Sequence, residues 1–201
     1  MKKLTLAFIL LMRISAIAQN QCTYTELLRM ITRNNIDGIK TYAKQGCDLK
    51  PADKFSISSL ELAVILNREQ AVDALIAADA ELVKLHGPNA LVSACSHEQK
   101  NKAAIELLMK KGVDINALST HHFSCLYNAA VVPDIEFFNY LIGLGADPAR
   151  PIIPDAIYGA EKQISVADFI SQRADAFITL KNALQTNQKS TDKKTTTKKS
   201  P

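Results

Sequence analysis

The sequence predicts an all-α protein made of helix pairs that recur about every 33 residues. Three observations predict it. The phrase Gly-Val-Asp at 112–114 returns as Gly-Ala-Asp at 145–147, 33 residues on. Leu27, Leu60, Leu91 and Leu126 follow one another at spacings of 33, 31 and 35, the last three in short apolar runs with alanine nearby. Hydrophobic residues make up 47% of the chain, but aromatics only 6% and tryptophan is absent, a profile suited to helices packed through Leu, Ile, Val and Ala.

Residues 1–18 read as a secretory leader. Lys2 and Lys3 start it, Leu4 to Met12 form an apolar run, and Ala16-Ile17-Ala18 places small residues for cleavage before Gln19. The run is shorter than the about 20 apolar residues a membrane span needs, so the mature chain is expected to carry no membrane span; an uncleaved anchor is the alternative. Gln19-Asn20-Gln21 ahead of Cys22 does not fit a lipobox. The expected location is periplasmic or secreted. A bacterial source agrees with the compact leader and with the absence of any Asn-x-Ser/Thr sequon.

From Thr25 to Leu184 the elements come in order. A helix pair ends at Gly46, a second reaches Asp79 where a stop glycine is missing, a third ends at Gly112, and a fourth at Gly145. Glycine at such stops supplies the left-handed residue that ends a helix. In the fourth pair a short helix over Ser124 to Ala130 precedes a longer one over Ile135 to Leu144. Ala63, Ala94 and Ala129 share one position and are expected to let successive first helices approach closely. A weaker fifth unit has a helix at Ile164 to Ile170 and another over Ala174 to Leu184. The tail over 186–201 is rich in Lys and Thr and reads as a disordered, solubilising end. The formal charge of +4 is carried by Lys2, Lys3 and Arg13 and by the five tail lysines, which leaves the middle mildly acidic and gives nucleic acid no support as a partner.

The run Ser-Cys-Leu-Tyr-Asn-Ala at 124–129 resembles the Thr-Pro-Leu-His-x-Ala phrase of the ankyrin repeat family, at that family's period. The resemblance implies a solenoid of four repeats (about 22–49, 50–82, 83–115 and 116–148) with a degenerate C-terminal fifth (149–185). It also implies a non-enzymatic protein-binding module. Turns between repeats would project as fingers and line a concave groove with the first helices. The exposed finger residues are expected to be Phe55, then His86, then His121, His122 and Phe123, then Ile152, Ile153 and Tyr158. Apolar and aromatic side chains at such tips suit a partner surface, while folding back onto the adjacent turn is the alternative for each. The fourth finger, stiffened by Pro148, Pro151 and Pro154, would either enter a cleft on the partner or lie as a lid over the last groove. The partner is a protein, and the role either that of an inhibitor or immunity protein or that of an accessory to an enzyme. A monomer with no cofactor is expected.

Chemistry offers one competing reading, a metal- or thiol-dependent enzyme or module using the Cys/His set. Cys95 with His97 and Cys125 with His121 and His122 hold usable ligand types, but neither has a paired Cys-x-x-Cys spacing. No metal ligands and no catalytic residues are assigned. Cys22 precedes the first helix and Cys47 follows the second, so antiparallel packing brings them to one end and a disulfide between them is expected. Cys95, placed mid-helix, and Cys125, at the next helix start, are offset by about five residues and not expected to pair.

Overall fold

The computed structural model describes residues 22–51, 57–153, 162–173 and 178–186, and they are mostly helical. The chain divides into two compact units, Met1–Ala90 and Leu91–Pro201.

In the first unit, α1 (Tyr24–Thr32) and α2 (Ile36–Lys44) form one pair, and α3 (Ser59–Ile65) and α4 (Glu69–Ala78) form another. Each start is fixed by a side chain that accepts an orphan backbone N–H: Thr23 takes that of Glu26, Asn35 that of Gly38 and Ser58 that of Glu61. Helix α1 packs on α2 and α3, and α2 on α4. Leu27, Ile31, Ile39, Leu60, Ala71 and Leu75 are buried completely at these contacts; removing a side chain of leucine size from water is worth about 1.5–3 kcal/mol. Cys22 and Cys47 are joined, with Cα atoms 5.2 Å apart, at the end where α1 begins and α2 has ended.

A stop glycine and an aspartate two residues later act together. Gly46, Gly112 and Gly145 hold φ of +77°, +98° and +96°. The carboxylates of Asp48, Asp114 and Asp147 then accept from the N–H groups of Lys50, Asn116 and Ala149 at 2.9, 2.9 and 2.8 Å, closing Asx turns. Position 79 departs from this. Asp79 is extended, with φ −147° and ψ 101°, and its carboxylate accepts from Glu81 N–H at 2.9 Å. The chain enters α5 (Glu81–Ala94) at once, with Pro88 inside the helix. The finger expected here is absent, and His86 lies on α5, half-buried, its Nε2 2.9 Å from the Lys50 carbonyl oxygen. In place of a left-handed glycine stop the chain leaves α4 extended, and the Asp79 carboxylate on Glu81 N–H turns it straight into the next helix.

Helix α5 passes the boundary at Ala90 and ends at Ala94 in the second unit. There α6 (Lys102–Lys110) is capped by Asn101, α7 (Cys125–Val131) by Ser124 and α8 (Ile135–Gly143) by Asp134. Two short antiparallel strands follow, β1 (Pro151–Ile152) and β2 (Ile164–Ser165), then α9 (Val166–Ser171) capped by Ser165, then helical residues 178–186. A proline opens β1, a position an edge strand tolerates. Ile164 and Ser165, expected to be helical, serve instead as strand and cap. Helix α7 packs on α8 and α9 around Leu126, Ala129, Ala130, Phe138 and Leu141, all buried.

Cys95 and Cys125 are bonded, with Cα atoms 5.1 Å apart, which corrects the expectation that they stay apart. Cys95 is not mid-helix; it follows the last residue of α5. The expected separation added the axial offset to the spacing of helix axes, whereas facing Cα atoms lie nearer by both helix radii, about 2.3 Å each. Ala94, buried completely, permits that approach. The Sγ of Cys125 lies 3.4 Å from the Leu91 carbonyl oxygen, a contact without a hydrogen bond, because a disulfide sulfur carries no proton.

Candidate interaction surface

The expected third finger, residues 114–124, is a loop held by its own bonds. Ser119 N–H donates to the Phe123 carbonyl at 2.9 Å, His122 N–H returns to the Ser119 carbonyl at 2.8 Å, and the Ser119 hydroxyl accepts from Phe123 N–H at 3.2 Å. His122 sits at φ +59°, in the left-handed region that histidine enters more readily than most non-glycine residues. Asn116 ties this loop to the next turn: its Nδ2 donates to the Gly145 carbonyl at 3.2 Å and its Oδ1 accepts from Asp147 N–H at 2.7 Å. His121 and His122 are thus exposed on a backbone with few remaining degrees of freedom.

Phe123 turns inward. Its ring is 5.2 Å from that of Tyr127, which meets Phe169 edge-on at 5.0 Å, and the Arg173 guanidinium lies 4.4 Å from the Phe169 ring. His121 touches the outer end of this series, with centroids 6.3 Å apart. Pairs of this kind are worth about 0.5–1.5 kcal/mol beyond their buried area. Phe123 is therefore half-buried packing at the root of the loop rather than a free tip.

Beside the loop lies a cleft of about 250 Å³, lined by Leu118, His122, Arg150, Ile152, Ile153 and Gln163 among others. Ile152, expected at an exposed tip, is only 1% exposed. Pairing with Ile164 makes it part of a strand whose side chains alternate, so Pro151 faces out and Ile152 in. Ile153 is half-buried, and its N–H reaches toward the His122 carbonyl at 3.5 Å. In the described part of the expected fourth finger, then, Ile152 and Ile153 turn inward and are not exposed tips.

Five of the expected residues, His121, His122, Phe123, Ile152 and Ile153, thus come together. His86 belongs to the first unit, and Phe55 and Tyr158 lie outside the described residues. Leu118, Arg150 and Gln163 line the cleft without having been read from the sequence. An arginine between two prolines in the long finger was the available signal for the second of them. A larger cleft of about 430 Å³ lies on α1 and α2, but its charged lining residues Glu26 and Arg29 already bond each other at 2.7 and 2.9 Å. Among the described residues no group of three metal-ligating side chains occurs, and no helix is long and apolar enough to cross a membrane. Comparison of the chain with protein-family models and with curated protein sequences finds no match.

Proposed function

We propose that this chain is a non-enzymatic binding protein of the ankyrin type, a solenoid of four repeats and a degenerate fifth, that works in the periplasm or outside the cell. It holds one protein partner through residues 114–124 and the β1–β2 hairpin. The observation that carries the binding reading is the exposure of His121 and His122 on a loop fixed by Ser119 and Asn116, at the rim of a cleft. A surface held in place before contact loses little entropy on binding.

Two further sets of facts support the reading. Residues in the left-handed region recur at Asn34, Asn67 and Lys100, each 33 positions apart, just ahead of Asn35, Arg68 and Asn101 at the second-helix starts. Long-range hydrogen bonds in the first unit join Tyr24 to Ile57 and Arg68 to Thr32, residues 33 and 36 apart, and in the second Asn128 to Val92, again 36 apart. For location, all four cysteines of the sequence are paired, which suits an oxidising compartment. The same pairing weakens the metal or thiol reading, since a cystine sulfur is neither a thiolate ligand nor a nucleophile.

The test uses the oxidised mature chain from Gln19 as bait in an envelope extract, beside a His121→Ala/His122→Ala variant. A single protein retained in stoichiometric amount by the first and lost by the second supports the proposal. The captured protein's activity then separates an inhibitor, which abolishes it, from an accessory, which preserves it. Equal capture by both baits, or none, overturns the assignment of this surface.

A further inference from the structure

We infer that the cleft beside His122 takes a carboxylate flanked by a branched aliphatic group, presented by a segment of the partner; the inference rests on the binding reading above and names the chemistry of what is bound. Size sets the first bound. At about 250 Å³ the cleft lies just below the about 300–1,000 Å³ usual for small-molecule sites, which suits one or two side chains better than a cofactor.

The lining sets the rest. Ile152 is buried and forms an apolar base with Leu118 and Ile153, and a branched aliphatic group placed there leaves water. Arg150, His122 and Gln163 supply the polar lining, and among the described residues no carboxylate lines the cleft. Arg150 is exposed and makes no ion pair among the described residues, although Asp147 lies three positions before it. That aspartate accepts from Ala149 N–H at 2.8 Å, and its carbonyl takes the Arg150 N–H at 3.1 Å, so the turn fixes the backbone from which the guanidinium extends. A guanidinium presents two parallel N–H groups that match both oxygens of a carboxylate. His122, its backbone held by Ser119, completes the wall.

The experiment titrates the oxidised, ¹⁵N-labelled mature chain with N-acetyl-leucine, which carries both groups, and in parallel with N-acetyl-leucinamide and inorganic phosphate. N-acetyl-leucine should shift the amide signals of 118–123, 150, 152 and 153 saturably. The amide, which lacks the charge, should bind about tenfold or more weakly, as loss of a charge-assisted bond requires. Arg150→Ala should weaken N-acetyl-leucine to a similar extent with the remaining spectrum unchanged, and Arg150→Lys should fall between. No saturable shift, equal binding of the amide, tighter binding of phosphate, or indifference to Arg150→Ala each overturns the inference. Its failure is distinct from failure of the binding reading. A partner lost on changing His121 and His122 but held undiminished by Arg150→Ala overturns the carboxylate and leaves the surface standing. Binding of N-acetyl-leucine through Arg150 with no protein captured overturns the surface and leaves the cleft chemistry.

Discussion

Tyr140 on α8 shows how one side chain couples a turn of packing to pH. Its hydroxyl donates to Glu106 Oε1 at 3.0 Å, and the Lys102 ammonium lies 4.8 Å from its ring. Burial first, then the bond to Glu106, pushes the phenol up to about 12. A group whose folded pKa is raised contributes stability that is complete below its ordinary value, about 10, and is lost as pH rises through the folded value. Replacing Tyr140 with Phe should therefore flatten the fall of Tm between pH 10 and 12; an alkaline limb of unchanged steepness would refute the coupling. Asp134 works at the other extreme. The Lys100 ammonium, then the Phe137 N–H, hold its carboxyl below the usual range, so its contribution is present at neutral pH and lost as pH falls through that lowered value. Asp134 also caps α8. Asp134→Ala should cost about 1–2 kcal/mol by urea unfolding, most of it from the lost cap, because a partly exposed ion pair adds little. Among the candidate residues, His121 and His122 could be read as exposed because they adjoin each other in a polar stretch between helices. Ile152 could not, since its burial depends on pairing with Ile164 across twelve positions of the chain.

For elements, the rule that a glycine stop precedes an Asx turn holds three times and breaks once, and the break is informative. Gly112→Ala would bring Cβ near nothing within 4 Å, so its cost comes from the left-handed backbone alone, about 1–2 kcal/mol. At 79 the family-like expectation is that restoring glycine would help. The extended backbone there argues the reverse: Asp79→Gly gives up the bond to Glu81 N–H and the Lys50 contact at 3.2 Å, and should destabilise by about 1 kcal/mol. A gain in the unfolding midpoint would sink this account. Helix starts were legible only to within a residue or two: Ser124 and Ser165, read as helical, are the caps ahead of their helices, each, like Ser58, accepting an N–H three residues on. The uninterrupted run of α5 was harder to read, since Gly87-Pro88 within Glu81–Ala94 punctuates the sequence like a turn. Pro88 removes one amide donor from that helix, and Gly87 lowers its intrinsic stability; neighbouring structure overrides both.

Across the molecule, the helical class and the Cys22–Cys47 pairing followed from the spacing of Leu, Gly and Cys, all of which depend on short segments. The Cys95–Cys125 pairing did not, because it turns on a few ångströms of helix approach that spacing alone does not give. Each cystine closes a span of local chain, 25 and 30 residues, and removes about 2–4 kcal/mol of unfolded-state entropy. A Cys22→Ser/Cys47→Ser variant should lose that amount on urea unfolding while keeping its helical circular dichroism; a loss below about 1 kcal/mol would show that the unfolded state is already restricted there. The second cystine has a consequence in covalent topology. Lys100, Lys102, Lys110 and Lys111 all fall between Cys95 and Cys125. A protease that cuts after any of them severs the backbone without separating the two fragments, and α5 and α7 remain tethered through a bond buried from reductants. A nicked chain, once denatured, should therefore migrate as one species until thiol is added, and as two afterwards. For a protein exposed to proteases, the first cut would then be survivable.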